Sequence, residues 1–237
     1  TISVTNKYFL DEGLESAWSR VVGVVVQPGV EFGDDKVFKY KQEEAKDLSR
    51  KITEYNTLVF EAHSTDYQAE SDLKALVKDH FCILKVGPWL TFAYREALFA
   101  MEAMEKEILG EKSKYLSNLS DVLEKVMNNK PEYWKKYYPG DEKQQLFKRK
   151  YSFSDRSRYY WPIKELDSAR EKLFKNLKKN KIPLSLLSQF MPVQFYQVCN
   201  GAITVDPRDL VHSYIRIVAG IYSRACGLSN NYNTKLL

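Results

Sequence analysis

The chain contains few of the residues on which several kinds of scaffold and site depend. It has three cysteines and three histidines in 237 residues. Cys82, Cys199 and Cys226 are odd in number and widely spaced, and no Cys-x-x-Cys pair occurs. Neither a disulfide framework nor a zinc knuckle is therefore predicted, and a reducing cytoplasm fits best. We expect Cys82 to act as a small hydrophobic residue inside an apolar strand.

Long apolar runs are also missing. The longest, residues 21–26, is interrupted by Gly23 and is far shorter than the roughly 20 residues that a membrane-spanning helix needs. The polar start, residues 1–7, is not followed by the apolar segment of a signal peptide. We predict no membrane span and a cytoplasmic location.

The charge excess is small. Lys and Arg number 36 against 31 Asp and Glu, which gives a net charge of +5. The densest basic stretch, residues 172–181, has few aromatic neighbours, whereas nucleic-acid-binding proteins concentrate basic residues on one face. We interpret this stretch as a solvated helix face and predict no nucleic-acid partner.

Apolar residues make up 44% of the chain, enough for a sizeable core. Three short apolar runs, rich in β-branched and aromatic residues, are typical of strands buried on both faces: residues 21–27, 58–62 and 81–86. Helical patterns alternate with them, at residues 42–55, 72–79 and 92–109. This alternation predicts right-handed βαβ units with a parallel sheet.

The second half of the chain has helical periodicity. Helices are predicted at residues 117–127, 164–179 and 206–227. In the last of these, Asp206 is the expected N-cap, Pro207 the first helical residue and Gly227 the residue just past the end. An aromatic-rich connection, residues 131–138, lies between the first two helices.

Three parallel strands alone would leave unpaired edges. We therefore predict an α/β fold of the (β/α)8 TIM-barrel type, of which only the last strands are present, followed by a helical C-terminal region. The missing strands would precede Thr1, in agreement with the absence of an initial Met. Residues 1–112 would form the C-terminal βα units, and residues 113–237 a helical extension that packs on the barrel. A complete doubly wound fold with three strands is the alternative.

Polar residues follow each predicted strand. In parallel α/β folds the site lies at these carboxyl ends. The catalytic candidates there are Glu61, His63 and Lys85, and the candidates for binding phosphate or substrate are Gln27, Glu31 and Gly87. Lys85 is a candidate Schiff-base nucleophile, but an ion pair with Glu61 is the interpretation we prefer. His63 is a candidate metal ligand or proton shuttle. Because a metal site needs about three protein ligands, no metal site is predicted in this chain.

Phosphate-binding candidates lie at and beyond the third strand. Gly87 opens a helix, whose free backbone N–H groups suit phosphate, or it forms a tight turn. Arg95 assists an anion or faces Glu96 and Glu102 in solvent. Arg156 and Arg158, next to aromatic residues, either bind phosphate or form a structural clamp that ties the helical region to the barrel, which we prefer.

Several long stretches resemble the Z-subunit family of D-tagatose-1,6-bisphosphate aldolase (GatZ/KbaZ-like). They are residues 25–32 (VVQPGVEF), 60–68 (FEAHSTDYQ), 80–81 (HF), 83–88 (ILKVGP), 90–93 (LTFA), 133–138 (YWKKYY) and 159–162 (YYWP). The similarity extends over essentially the whole chain, which resembles the C-terminal part of a family member. The N-terminal half that family members carry includes a Gly-Asp-His-Leu-Gly-Pro stretch similar to a metal site, which this chain lacks.

The resemblance implies a barrel and a role in galactitol or N-acetylgalactosamine breakdown, in which tagatose 1,6-bisphosphate is cleaved to two triose phosphates. It implies a non-catalytic, chaperone-like subunit without activity or cofactor of its own, which supports the stability and full activity of a zinc-dependent catalytic Y subunit. Family members have also been called tagatose 6-phosphate kinases, but the chain contains no GxxxxGK[ST] loop. The alternative is a sugar-phosphate aldolase with its own site at the barrel mouth, formed by Glu61, His63 and Lys85.

Overall fold

A computed structural model describes residues 1–228, which fall into two compact units. The first unit contains Thr1–Phe32, Lys36–Val86 and the chain from Ile221. The second contains Gly33–Asp35 and Gly87–Gly220. The expected domain division after residue 112 stays a prediction.

The first unit is built on a small parallel sheet. Its elements are α1 (Ile2–Asp11), α2 (Glu15–Trp18), β1 (Gly23–Val26), β2 (Glu31–Phe32), β3 (Val37–Phe38), α3 (Gln42–Ile52), β4 (Val59–Ala62), α4 (Glu70–Lys78) and β5 (Ile83–Leu84). The sheet order is β1-β4-β5 with both pairings parallel, and β2 and β3 form a separate antiparallel pair. The three predicted strands, their alternation with helices and the parallel sheet are confirmed, with shorter strands than the apolar runs suggest.

The two faces of this sheet differ in burial. Phe60 and Ala62 of β4 are buried on one face, where the Phe60 ring lies 5.3 Å from that of Phe81. On the other face, Val25, Glu61 and Ile83 stand in one cross-strand row, and Val25 is 57% exposed. The expectation that all three strands are buried on both faces is therefore wrong for the described residues.

Cys82 lies outside the element in which it was expected. It precedes β5, whose ladder pairs only Ile83 and Leu84, and its side chain is exposed. The interpretation of Cys82 as a buried small hydrophobic residue is wrong.

The second unit is helical. Its elements are α5 (Pro88–Leu109), α6 (Leu119–Asn129), α7 (Glu142–Tyr151), α8 (Lys164–Asn180), α9 (Leu184–Phe190), α10 (Pro192–Cys199) and α11 (Pro207–Ala225), whose last residues belong to the first unit. Short 3-10 turns cover Pro131–Tyr133 and Arg156–Tyr159. Helices α5, α6 and α8 pack on one another around Met101, Leu123 and Leu173, because each carries an apolar stripe at helical spacing.

The ends of α11 agree with the sequence signals. The Asp206 carboxylate accepts a hydrogen bond from the backbone N–H of Arg208 at 2.9 Å, Pro207 begins the helix, and Gly227 follows its end with φ of +69°. A side-chain cap and a left-handed glycine of this kind satisfy free backbone groups at the helix ends.

None of the helices in residues 1–228 combines the length and the apolar character that crossing a membrane requires.

Candidate functional site

Glu61 and His63 form a contact at the carboxyl end of the central strand. His63 Nε2 lies 2.8 Å from Glu61 Oε1, and both side chains are about one-third exposed. Their spacing of two residues places them on the same face of the sheet, the face that carries the exposed Val25. A histidine beside a carboxylate can orient a polar ligand or pass a proton. The contact is therefore compatible with the proton-shuttle hypothesis for His63.

Lys85 lies on the neighbouring strand end but has a different environment from the one expected. The strand register pairs Glu61 with Ile83, so Lys85 lies two residues beyond the residue that is opposite Glu61. The backbone N–H of Lys85 donates to Ala62 O at 3.0 Å. The side chain is exposed, and no ion pair between Lys85 and Glu61 occurs in the described structure. The predicted ion pair is wrong, and the Glu61 carboxylate contacts His63 instead.

The two candidates after the first strand contact each other. Gln27 Nε2 donates to Glu31 Oε2 at 3.1 Å, and Glu31 Oε1 accepts from the backbone N–H of Phe32 at 3.0 Å. Glu31 is exposed. Both residues therefore remain available at the surface as polar groups near a strand end.

The loop after β4 contains the feature that the sequence reasoning missed. Ser64 and Tyr67 have φ of +55° and +63°, a left-handed conformation that non-glycine residues adopt only when surrounding structure enforces it. Thr65 and Gln68 are buried and hold the loop. Thr65 Oγ1 donates to Lys85 O at 2.8 Å, and Gln68 accepts from Tyr40 N at 3.1 Å and donates to Phe38 O at 2.9 Å.

A tyrosine from α11 completes the support of this loop. The Tyr222 hydroxyl donates to Thr65 O at 2.8 Å. Burial raises the pKa of Tyr222, and the nearby charge of Asp66 acts in the same direction. Thr65 and Tyr222 are 157 residues apart in the sequence. No local pattern indicates their contact, so the sequence predicts only that polar residues follow β4.

Arg95 is a structural residue in the second unit. Its side chain is 2% exposed, and its Nε donates to Asp155 Oδ1 at 3.1 Å. Its guanidinium carbon lies 4.3 Å from the centre of the Phe92 ring. The expectation that Arg95 faces solvent is wrong, and its role in binding an anion stays a prediction. Gly87, the other candidate at this helix, is the residue before Pro88 at the start of α5.

Arg156 and Arg158 lie on tyrosine rings. The Arg156 guanidinium carbon is 3.3 Å from the centre of the Tyr137 ring, and that of Arg158 is 4.9 Å from the centre of the Tyr159 ring. The aromatic neighbours were expected. Phosphate binding and the clamp to the barrel stay predictions.

Within residues 1–228, no group of three or more His, Cys, Asp or Glu side chains could hold a metal ion. His63 contacts the Glu61 carboxylate, and the described residues supply no third side chain that could complete a metal site with this pair. In the first unit the structure brings Gln27 and Glu31 together, and Glu61 and His63 together.

A family model described as D-tagatose-1,6-bisphosphate aldolase subunit GatZ/KbaZ-like matches residues 1–227. The chain belongs to this family. The resemblance carried by the strand-end motifs is thereby confirmed, and Glu61, His63 and Lys85 lie within the matched region of a GatZ/KbaZ-like subunit.

A solved structure is similar to this GatZ/KbaZ-like chain. It is the crystal structure of a probable tagatose 6-phosphate kinase from Sinorhizobium meliloti 1021, with 40% sequence identity and a TM-score of 0.90. The match covers 95% of this chain and 58% of that one. The chain thus spans less than two thirds of the length of the protein it resembles.

Proposed function

We propose that this chain acts in an accessory, non-catalytic subunit of tagatose-1,6-bisphosphate aldolase. The family match over residues 1–227 is the observation that carries this proposal. The partner would be the zinc-dependent catalytic Y subunit, with the zinc ion on that partner and no cofactor on this chain. The pathway would be galactitol or N-acetylgalactosamine breakdown through tagatose 6-phosphate, in the cytoplasm.

The supporting action would be chaperone-like: binding to the catalytic subunit would raise its stability and its activity. Any ligand that binds only the folded form of a protein stabilises it in this way, and a partner subunit is such a ligand. This mechanism requires an interface and no reacting group on this chain.

We also propose that the sheet of the first unit is part of a larger (β/α)8 barrel. One face of the sheet is buried, while the other presents Val25 and Ile83 on either side of Glu61 in one cross-strand row, with His63 beyond that row at the carboxyl end of β4. In a barrel the side chains of such a face point into the interior, where polar groups cluster toward the carboxyl ends of the strands. The TM-score of 0.90 to a longer chain supports the proposal.

Coexpression tests the accessory role. The catalytic Y subunit would be produced alone and together with this protein at its full encoded length, and its soluble yield and aldolase activity would be compared. Higher yield and activity in the presence of this protein would support the proposal. Equal values in both preparations would contradict it.

An aldolase or lyase with its own sugar-phosphate site is the second candidate, because His63 and Glu61 share one sheet face at a strand end. The exposure of Lys85 disfavours the Schiff-base form of this candidate, since burial is what favours a neutral lysine amine. Borohydride reduction in the presence of a ketose phosphate tests whether Lys85 forms a Schiff base. An imine formed by Lys85 would be trapped as a secondary amine, with a mass increase that Lys85→Arg abolishes.

The accessory role and a catalytic site on this chain predict different outcomes for variants at the end of β4. Glu61→Gln and His63→Asn should leave the support of the catalytic subunit unchanged. A site of the chain's own would instead lose cleavage of tagatose 1,6-bisphosphate with either variant, in protein assayed without the catalytic subunit.

A further inference from the structure

A surface of exposed tyrosines and basic side chains lies on the second unit, outside the strand-end site. We name it the tyrosine–arginine surface, and its members are Tyr133, Lys136, Tyr137, Arg156, Arg158 and Tyr159. The three tyrosines are 45%, 44% and 42% exposed in chain order. Exposed aromatic rings that lie together in one patch, and not singly, are typical of an interaction surface.

The rings and cations of this surface are ordered against each other. Tyr133 and Tyr159 stack with centroids 5.2 Å apart. The Arg156 guanidinium carbon lies 3.3 Å from the centre of the Tyr137 ring, and Arg158 donates to the Tyr159 hydroxyl at 3.1 Å. Cation–π contacts and stacking restrict these long side chains to defined positions.

Buried aromatic residues fix the surface from below. Tyr138 and Tyr160 are fully buried. The Tyr138 hydroxyl accepts from the backbone N–H of Arg156 at 3.1 Å, and the Tyr160 hydroxyl donates to Lys130 O. A surface held in place before binding loses little conformational entropy when a partner docks.

The cations of this surface lack carboxylate partners. Several other arginines pair with carboxylates, as Arg149 does with Glu124 and Arg224 with Glu70. Within the described residues, Lys136, Arg156 and Arg158 form no such ion pair. Lys136, which is hydrogen-bonded to Tyr137, lowers the pKa of that hydroxyl, and the charge of Arg156 adds to the effect.

The Arg156 side chain has unused hydrogen-bonding capacity. Its Nε has no hydrogen-bond partner in the described structure but is buried, so a docked carboxylate would have to bind the terminal N–H groups of this half-buried side chain. A guanidinium offers donors in a planar fork that matches the two oxygens of a carboxylate. The surface therefore combines aromatic area with donors that suit an acidic group.

We propose that the tyrosine–arginine surface is the docking site for a carboxylate-rich surface of the catalytic subunit. The inference rests on the proposed function, because it names the place on this chain where that partner binds. Tyrosine and arginine are enriched at the residues that contribute most to binding energy. Carboxylates of the partner would supply the charge that the three cations lack.

Copurification with matched variants tests this inference. The protein at its full encoded length, as wild type, Lys136→Glu/Arg158→Glu and Tyr137→Ala, would be used to capture the tagged catalytic Y subunit. Two controls are Lys175→Glu/Lys179→Glu, which makes the same charge change on exposed positions of α8, and Tyr196→Ala, which removes another exposed ring. Circular dichroism melting would confirm that all variants fold.

We expect both variants of the tyrosine–arginine surface to bind the catalytic subunit about tenfold or more weakly than wild type, and both controls to bind normally. Normal binding by the surface variants, or equal loss in the charge control, would overturn the inference. Loss of affinity for heparin alone, with subunit binding intact, would also overturn it and indicate a polyanion site instead. Failure of wild type to capture the subunit would contradict the proposed function itself.

Discussion

The Tyr222 hydroxyl donates a hydrogen bond to Thr65 O at 2.8 Å and lies 3.0 Å from Thr65 Oγ1, across 157 residues of sequence. Thr65 in turn donates to Lys85 O. A chain of hydrogen bonds thus links α11 to the ends of two strands of the parallel sheet. The strained loop after β4 is positioned through this link.

Tyr222→Phe should destabilise the protein by about 1–3 kcal/mol, because the buried carbonyl of Thr65 would lose a donor. Chemical denaturation of the purified protein measures the change. Tyr8→Phe is the matched control, since Tyr8 is 67% exposed and its hydroxyl can bond to water. An equal and negligible effect of both substitutions would show that the link does not contribute to stability.

Removing Arg95 should be among the most destabilising single changes. Arg95→Met leaves the Asp155 carboxylate, which is 1% exposed, buried without its cation, at an expected cost of about 3–5 kcal/mol. Thermal and denaturant unfolding report the loss.

The double variant Arg95→Met/Asp155→Asn separates charge from packing. Asn tolerates the φ of +39° at position 155 and carries no charge, so the double variant should be more stable than Arg95→Met alone. A double variant that is less stable than the single one would contradict this electrostatic explanation.

The Glu70 carboxylate should make stability depend on pH. Lys74 and Arg224 hydrogen-bond to it and lower its pKa from the ordinary 4.5. A lowered pKa in the folded state means that the contribution is complete above pH 4.5 and is lost as pH falls through the lower value. Because the side chain is partly exposed, we expect about 0.2–1 kcal/mol.

Melting temperatures of wild type and Glu70→Gln at pH 7 and pH 3 test this dependence. Wild type should be the more stable protein at pH 7, and the difference should shrink at pH 3. Glu54→Gln, which removes an exposed pair with Lys51, is the control. A difference between wild type and Glu70→Gln that grows on acidification would contradict the assignment.

Gly140→Ala should weaken the start of α7. Gly140 has φ of +124°, and an added Cβ would collide with the Gln144 side chain. That side chain accepts from Asp141 N at 2.9 Å, while Asp141 accepts from Gln144 N at 2.8 Å, which is a reciprocal capping box. The expected loss is about 1–2 kcal/mol.

Gly201→Ala is the control for backbone strain in this comparison. Gly201 has φ of +70°, but its Cβ would meet no atom within 4 Å. Denaturation should show a smaller loss for Gly201→Ala than for Gly140→Ala. Equal losses would mean that strain alone, and not the capping box, accounts for the effect.

The elements that the sequence predicted well have strong local signals. Helix α11 has Asp206 and Pro207 at its start, and β4 has a compact apolar run. Helix α1 was missed because none of its residues is buried, so it lacks the stripe that identifies a packed helix. Helix α7 buries only Arg149 and was missed for the same reason.

The candidate site was predictable in position but not in pairing. Parallel strands bring their carboxyl ends to one edge, and this rule located Glu61, His63 and Lys85. Register decides which of them touch, and it places Ile83 and not Lys85 beside Glu61. The Arg95–Asp155 pair joins residues 60 positions apart, and no local pattern indicates such a partner.

The most direct test of the accessory role is a titration. The purified catalytic Y subunit, loaded with zinc, would receive increasing amounts of this protein at its full encoded length, and cleavage of tagatose 1,6-bisphosphate would be followed. We predict that specific activity rises and saturates at a fixed ratio of the two proteins, with wild type and His63→Asn alike. Activity that is independent of the added protein, or cleavage by this protein without the catalytic subunit, would contradict the account.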